Sequence, residues 1–190
     1  MPSDTTSQAF FEQMYADARD PWAFATSAYE QRRYATTLEA LGPRRFHRAF
    51  EPGCSIGVLT ERLASICDQV EAMDISPTAI VRAQDRCRSL SNVVIRQGAL
   101  PDQIPQGQFD LIVFSEIGYY FDPKTLLAVA QELVNRLTSD GIFLAAHWLG
   151  ASPDHLLDGD QVHGILASMN LPLISSERYE GFRLDGWRRS

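Results

Sequence analysis

The sequence is poor in cysteine and has no long apolar run. Its three cysteines, Cys54, Cys67 and Cys87, are odd in number and lack Cys-x-x-Cys spacing. They indicate reduced thiols in a cytoplasmic protein and not a disulfide framework or a zinc site. No stretch approaches the roughly 18 apolar residues of a membrane-spanning helix. The N-terminus also lacks the basic and apolar regions of a secretory signal. We therefore expect a cytoplasmic protein without a membrane partner.

An excess of positive charge is missing as well. The formal net charge is −7 and the isoelectric point is near 5.0, whereas a nucleic-acid-binding surface needs clustered lysine and arginine. We therefore expect no nucleic-acid partner. The 190 residues, 45% of them hydrophobic, are ordinary for one globular domain. We predict a single domain over residues 1–190, in which residues 1–45 form a helical lid.

The pattern of apolar residues predicts helices first and then alternating strands and helices. Helices are predicted at 7–18, 29–41, 58–65, 77–88, 123–137 and 161–169. Ser27 and Ser76 are predicted to cap the second and fourth of these helices, with Pro77 in the first turn of the fourth. Strands are predicted at 49–51, 70–73, 93–95, 109–114, 142–146, 173–179 and 182–187, with a turn at Asp140-Gly141 before the fifth. Such alternation implies a mostly parallel sheet with helices on both faces. The predicted fold class is α/β, a Rossmann-like three-layer sandwich whose seven-stranded sheet ends in a C-terminal antiparallel hairpin.

One loop organises the predicted sheet. It lies between the first strand and the next helix and reads Glu51-Pro52-Gly53-Cys54-Ser55-Ile56-Gly57, while Asp74 ends the second strand. Ligands of parallel sheets bind beyond the carboxyl ends of the strands. Gly53 and Gly57 let a ligand approach the backbone, and the Asp74 carboxylate can accept hydrogen bonds from ribose hydroxyls. The arrangement suits a nucleoside-containing cofactor, and we hypothesise S-adenosylmethionine.

Two other chemistries use similar loops. A dinucleotide loop needs Gly-x-Gly-x-x-Gly, but Ser55 stands where the second glycine belongs, which disfavours nicotinamide or flavin binding. Residues 53–57 also match Gly-x-Ser-x-Gly, the nucleophile elbow of α/β-hydrolases, and Asp122 and His147 follow in the order of a triad. The segment before Ser55 is short, is predicted to be helical and has no glycine-rich oxyanion loop. A serine hydrolase is therefore the weaker alternative.

The sequence resembles class I S-adenosylmethionine-dependent methyltransferases over most of its length. The loop at 51–57 corresponds to their first motif and Asp74 to their ribose ligand. The fourth strand, Phe109-Asp110-Leu111-Ile112-Val113, and the turn Leu137-Thr138-Ser139-Asp140-Gly141 also match. The resemblance implies the class I methyltransferase fold and S-adenosylmethionine as cofactor, with S-adenosylhomocysteine as its product.

Within this class the sequence is similar to the nodulation protein S (NodS-like) family. The similarity is carried by Asp20-Pro21-Trp22, by Tyr29-Glu30-Gln31-Arg32-Arg33-Tyr34 and by Glu116-Ile117-Gly118-Tyr119-Tyr120. Members of that family N-methylate an amino sugar unit of a chitooligosaccharide signal. The resemblance therefore implies N-methylation of a small-molecule acceptor, an amine or amino sugar. An O-methyltransferase of a small metabolite and a non-catalytic S-adenosylmethionine-binding protein stay as alternatives.

The resemblance also implies how the cofactor is held. Arg33 is expected to bind its carboxylate with a bidentate guanidinium, and Trp22 to cover the site. Ile75 is expected to pack on the adenine. The remaining predicted cofactor-binding residues lie at the same rim of the sheet; they are Glu51, Gly53, Gly57, Asp74, Gly98, Ala99, Leu100 and Ser115.

Three residues are predicted to serve catalysis at the ends of the fourth and fifth strands. Glu116 can orient an amine or accept its proton. Tyr120 can line the path of the methyl group, and His147 can act as a base. His155 and His163 form no recognisable metal-ligand spacing with the neighbouring aspartates, so no metal is predicted. The acceptor and the oligomeric state stay open.

Overall fold

The computed structural model describes residues 6–190, so the first five residues of the predicted lid lie outside the described part of the chain. The chain divides into two compact units, Ser7–Ala99 and Leu100–Ser190. The expectation of one domain stays a prediction.

The N-terminal unit consists of four helices and three strands. In chain order they are α1 (Gln8–Asp17), α2 (Ala28–Ala40), β1 (Phe46–Pro52), α3 (Val58–Leu63), β2 (Cys67–Asp74), α4 (Pro77–Cys87) and β3 (Val93–Gln97). The strands lie in the order β3-β2-β1, and both pairs are parallel. Glu51 pairs with Ala72, and Asp74 pairs with Gln97. The carboxyl ends of these strands therefore lie at one edge.

Serine side chains begin three of these helices. Ser7, Ser27 and Ser76 are the N-caps of α1, α2 and α4, and each hydroxyl accepts a hydrogen bond from the backbone N–H three residues later. An N-cap of this kind satisfies one of the backbone donors that a helix leaves unpaired at its start. Pro77 follows Ser76 in the first turn, where its missing N–H costs nothing. The predicted caps at Ser27 and Ser76 are confirmed.

The C-terminal unit continues the alternation and ends in a hairpin. Its elements are β4 (Phe109–Ser115), a 3₁₀ turn (Gly118–Tyr120), α5 (Pro123–Asn135), β5 (Leu137–Trp148), α6 (Gly159–Ala167), β6 (Leu173–Arg178) and β7 (Phe182–Arg188). The strand order is β4-β5-β7-β6. Strands β4 and β5 are parallel, whereas β7 is antiparallel to both of its neighbours.

The predicted fold class is confirmed, because the strands of both units include parallel pairs and the C-terminal strands are antiparallel. The prediction of a turn at Asp140-Gly141 is wrong, because β5 continues through these two residues. Residues 138–141 form a bulge between the pairs Phe109–Leu137 and Leu111–Ile142. Asp140 takes a left-handed conformation (φ 61°), and its N–H donates to the Arg189 carbonyl at 2.8 Å. This backbone pairing keeps the bulge within the strand.

The centre of the C-terminal unit is apolar on both faces of its parallel strands. Residues 111–114 of β4 and 143–146 of β5 are completely or almost completely buried. Strands with helices on both faces have this character, which explains their continuous apolar sequence. Among residues 6–190, no helix is both long enough and apolar enough to cross a membrane.

Two leucines of this unit test the core. Leu126 on α5 is completely buried, whereas Leu156 is 53% exposed. Leu126→Ala should lower the free energy of unfolding by about 2–5 kcal/mol, because it removes buried methyl groups and leaves a cavity. Leu156→Ala, the same chemical change at the surface, should stay within about 0.5 kcal/mol. Urea unfolding measures the free energy of unfolding of both variants. Equal losses in the two would contradict the burial of Leu126 in the core.

Candidate functional site

The glycine loop of the N-terminal unit is a tight left-handed turn. Gly53, Ser55 and Gly57 have φ values of 75°, 50° and 79°. The N–H groups of Gly53 and Cys54 both donate to the Met73 carbonyl, at 2.7 and 2.9 Å. A Cβ on Gly57 would lie 3.1 Å from the backbone of Ala83 in α4. The second glycine of the motif is therefore needed for both its conformation and its packing.

Asp74 joins this loop to the next helix. Its Oδ2 accepts the Ser55 N–H and its Oδ1 accepts the Ser76 N–H, each at 2.9 Å. Burial raises the pKa of Asp74 to about 6, although the hydrogen bonds from Ser76 and Ser55 oppose the rise. The Gly98 N–H donates to the Asp74 carbonyl at 2.9 Å. A buried carboxylate is thus held rigidly where three loops meet.

Glu51 is a second buried acid of the N-terminal unit. It is 3% exposed, and the Thr60 hydroxyl donates to its Oε2 at 2.6 Å. Burial raises the pKa of Glu51 to about 8, and the negative charge of Asp74 contributes to the rise. A carboxyl group in this position is stabilised as the anion by a cationic ligand.

Helix α1 is fastened to the loop and to α4. The Tyr15 hydroxyl donates to the Ser55 hydroxyl at 2.6 Å, and the Ser76 hydroxyl donates to Glu12 at 2.6 Å. Hydrogen bonds from Ser76 and Thr78 hold the pKa of Glu12 below its usual value. Arg82 of α4 donates to the Tyr15 carbonyl at 2.9 Å. Tyr15 and Glu12 are missing from the sequence prediction, because no motif links α1 to residues so distant in the chain.

Arg33 and Trp22 occupy different surroundings. Arg33 on α2 is 1% exposed, its Nε donates to Glu30 at 3.0 Å, and its guanidinium lies 4.9 Å from the centre of the Tyr34 ring. Trp22 is half-buried and packs edge-on against Tyr15, with ring centres 5.5 Å apart. The predicted contacts of Arg33 and Trp22 with the cofactor stay predictions.

The remaining predicted cofactor residues follow the strand ends. Ile75 is half-buried directly after β2, and Gly98 and Ala99 follow β3. Leu100 begins the C-terminal unit, and Ser115 ends β4. Their positions fit loops at the carboxyl ends of strands; their contacts with a ligand stay predictions.

Glu116 is held in a left-handed backbone conformation after β4. Its φ is 61°, which is uncommon for a residue with a side chain. Oε1 accepts the Trp148 N–H at 2.8 Å, and Oε2 accepts the Tyr119 hydroxyl at 2.6 Å. Non-glycine residues in such conformations are concentrated at functional sites. The carboxylate is thus preorganised by two donors.

Aromatic rings surround the Glu116 segment. His155 stacks on Tyr119 with ring centres 3.8 Å apart and meets the edge of Tyr120 at 5.2 Å. Burial lowers the pKa of His155, although the charges of Asp154 and Glu116 oppose this. Burial therefore favours the neutral form of the ring. Sequence spacing gave little reason to single out His155, because it lies on a loop.

His147 is completely buried, and both of its ring nitrogens make hydrogen bonds. Nε2 accepts the Gly118 N–H at 3.0 Å, and Nδ1 lies 3.2 Å from Nε2 of His163. His163 in turn contacts Asp185 at 2.7 Å. In this arrangement neither nitrogen of His147 can take a proton from an acceptor, which speaks against the predicted role as a base. The partners His163 and Asp185 lie on other elements, so sequence spacing carried no signal for them.

The serine hydrolase alternative lacks its triad. The Ser55 hydroxyl accepts from Tyr15, Asp122 is the N-cap of α5, and the nitrogens of His147 are bonded to Gly118 and His163. A triad needs the histidine between the serine and the carboxylate. These contacts are incompatible with that arrangement.

Fold and loop together define a class I S-adenosylmethionine-dependent methyltransferase, a mostly parallel sheet with a glycine turn after β1 and a carboxylate ending β2. The sequence model of the nodulation protein S family matches residues 4–159. The chain therefore belongs to the nodulation protein S family.

Individual relatives agree with this membership. The chain is 32% identical over 170 residues to nodulation protein S of Azorhizobium caulinodans, covering 87% of this chain and 81% of that protein. It is 35% identical over 144 residues to the Bradyrhizobium diazoefficiens protein of the same name, covering 74% and 67%.

A solved structure supports the fold. The N-methyltransferase NodS of Bradyrhizobium japonicum WM9, in complex with S-adenosylhomocysteine, superposes with a TM-score of 0.84. The match covers 97% of this chain and 99% of that chain at 22% identity. At this identity the likeness shows the fold alone.

The raised pKa of Glu51 predicts a pH-dependent stability. Because the pKa rises from 4.5 to about 8 on folding, the neutral carboxyl stabilises the fold fully below about pH 4.5, and this contribution is lost as the pH rises through about 8. Glu51→Gln cannot ionise. It should raise the Tm of the ligand-free protein near about pH 9 and change it little near about pH 5.

Glu39→Gln is the matched control, because Glu39 is exposed on α2. Thermal unfolding of this variant should follow the parent at both pH values. If the Tm of the parent fell no faster with pH than that of Glu51→Gln, Glu51 would not be the buried acid described here.

Proposed function

We propose that this protein transfers the methyl group of S-adenosylmethionine to the nitrogen of a small-molecule amine or amino sugar. The observation that carries the proposal is the Asp74 carboxylate, buried and held by the N–H groups of Ser55 and Ser76 at the end of β2. A fixed acceptor in this place suits the two ribose hydroxyls of an adenosyl group.

The other groups of the N-terminal unit suit the rest of the cofactor. Glu51 offers its buried carboxyl to the cofactor's ammonium group, and Arg33 offers its guanidinium to the carboxylate. Gly53 and Gly57 let the methionine part approach the backbone. The adenine lies against Ile75 and the backbone that follows β3, namely Gly98, Ala99 and Leu100.

Helix α1 and the segment after it act as a lid in this proposal. The contact of Tyr15 with Ser55 and those of Glu12 with Ser76 and Thr78 support it, because they join α1 to the cofactor loop and the start of α4. Trp22 packs on Tyr15. A lid excludes water and keeps the reacting groups in line.

The methyl transfer itself is a single displacement. The lone pair of a neutral amine forms the new N–C bond while the S–C bond breaks, and its electrons stay on the sulfur of S-adenosylhomocysteine. The methylated nitrogen then carries a positive charge and loses a proton. The sulfonium is a good leaving group, so positioning supplies most of the acceleration.

Glu116 is the group that we assign to the acceptor amine. Its carboxylate is held by Tyr119 and Trp148, and it can stabilise the developing ammonium charge or accept the proton. Tyr120 and His155 add aromatic surface, which favours cationic and sugar-like ligands. His147 takes a positioning role instead of acting as a base. The N-methyltransferase named above, which shares the fold, agrees with nitrogen as the target.

Replacing Asp74 tests cofactor recognition. Asp74→Asn should weaken S-adenosylmethionine binding about ten- to a hundredfold, because it removes charge-assisted hydrogen bonds to the ribose. Titration calorimetry measures the affinity. Asp85→Asn, at an exposed position of α4, is the control and should bind like the parent. Unchanged affinity in Asp74→Asn would refute the assignment.

The pKa of Asp74, about 6, predicts the pH dependence of the same equilibrium. Below this pH the free carboxyl is protonated and loses an acceptor, so affinity should fall about tenfold between pH 7 and about pH 5. Asp74→Asn should not show this fall. An equal fall in both proteins would assign the dependence to another group.

An acceptor panel tests the reaction. Purified protein with methyl-labelled cofactor is incubated with amino sugars, primary amines and phenols, and the products are identified by mass spectrometry. We expect transfer to nitrogen, and Glu116→Gln should slow it about a hundredfold or more. Transfer only to phenols would favour the O-methyltransferase alternative. Cofactor binding without turnover on any acceptor would favour a non-catalytic binding protein.

A further inference from the structure

The C-terminal unit contains a buried chain of hydrogen-bonding side chains that the methyl transfer does not use. It begins at the Gly118 N–H and continues through His147 and His163 to Asp185. His147 and His163 are 0% exposed and Asp185 is 1% exposed. Burying polar side chains in an apolar core is costly unless all of their hydrogen bonds are made in a consistent direction.

The direction of the chain follows from its first donor. Because the Gly118 N–H can only donate, Nε2 of His147 must be unprotonated, and the proton of the neutral ring lies on Nδ1. That Nδ1–H donates to Nε2 of His163, whose own proton therefore lies on Nδ1 and donates to Oδ2 of Asp185. Both histidines are neutral Nδ1–H tautomers in this arrangement.

At its Asp185 end, the hydrogen-bond chain is held by an ion pair. Nε of Arg183 lies 2.9 Å from Oδ2 of Asp185. Burial alone would raise the pKa of Asp185, but hydrogen bonds from His163 and Ser176 and the nearby Arg183 keep it below its usual value. Asp185 is therefore the carboxylate that accepts from His163.

At the other end of the hydrogen-bond chain, Gly118 is closely surrounded by neighbouring side chains. A Cβ on Gly118 would lie 2.5 Å from Cγ1 of Val162 and 2.7 Å from Nε2 of His147, so only glycine can occupy this position. Gly118 starts the 3₁₀ turn that carries Tyr119 and Tyr120. Tyr119 in turn donates to Glu116. A displacement of Gly118 would therefore move the groups that we assign to the acceptor.

We infer that Asp185, His163 and His147 are positioning residues, which hold the Gly118–Tyr120 turn, and through it Glu116, in place for the acceptor amine. The inference rests on the proposed function for its effect on turnover. The hydrogen-bond chain itself is independent of any activity. The chain acts only through Gly118, since its members touch neither the acceptor nor the cofactor in this scheme.

Two substitutions of His147 distinguish a positioning role, through its hydrogen bond to Gly118, from a role in packing the core alone. Glutamine places its amide near the site of Nε2 and can accept from Gly118, whereas asparagine reaches only the site of Nδ1. His147→Gln should therefore keep acceptor turnover within about threefold of the parent. His147→Asn should lower kcat about a hundredfold, the scale of misplaced reacting groups, with the cofactor Kd unchanged in both.

Hydrogen exchange and NMR report on the chain without any acceptor. The Gly118 amide should exchange slowly in the parent and in His147→Gln and much faster in His147→Asn. Nitrogen-15 spectra should show Nδ1–H tautomers for His147 and His163, with the exposed His47 as an internal reference. Gly118→Ala changes no histidine of the sequence, but its Cβ would clash with Nε2 of His147, so it should reproduce the turnover loss of His147→Asn.

The outcomes are distinct. Equal turnover loss in the glutamine and asparagine variants, or an Nε2–H tautomer for His147, would overturn the inference. If His147→Asn does not fold, the folded Gly118→Ala variant decides. Fast exchange of the amide at position 118 together with lost turnover in that variant supports the inference, whereas normal turnover in that variant overturns it. If the parent methylates no acceptor, the proposed function fails, and the tautomers and the Gly118 exchange still decide whether the chain exists.

Discussion

The N-terminal unit depends on one interaction, the buried Asp74 carboxylate shared between the N–H groups of Ser55 and Ser76. Ser55 lies in the glycine loop and Ser76 caps α4, so the carboxylate fixes the loop and the helix relative to each other. The same two serines also bind α1, because Ser55 accepts a hydrogen bond from Tyr15 and Ser76 donates one to Glu12. A charge buried among donors is costly to leave unpaired, which makes its surroundings rigid.

The C-terminal unit uses two neutral histidines that are anchored to a carboxylate for a comparable purpose. Here a directed chain from Asp185 through two histidines ends at the backbone of Gly118, and the cost of burying the rings is offset because each nitrogen has a partner. Glu116 is held by two donors in a strained backbone conformation. The predicted catalytic residues of this unit therefore take two different proposed roles. Glu116 is proposed to contact the acceptor, and His147 is proposed to hold the turn that positions Glu116.

Predictions from sequence succeeded where the signal is local. The caps at Ser27 and Ser76, the proline after Ser76 and the glycine loop are readable because each depends on residues a few positions apart. The bulge at Asp140 was mistaken for a turn, since its pairing partner Arg189 lies far along the chain. The predicted role of His147 as a base took no account of its buried partners for a related reason, because His163 and Asp185 lie far from it along the chain.

The sequence by itself determined the order of helices and strands, the fold class, the family and the loop that suits an adenosyl cofactor, because periodicity and short motifs encode all of these. Only the tertiary structure decided which ionisable groups are available for chemistry. Burial raises the pKa of Glu51 to about 8 and lowers that of His155, and both ring nitrogens of His147 make hydrogen bonds. These properties depend on desolvation and on partners distant in the chain, and neither can be read from residue spacing.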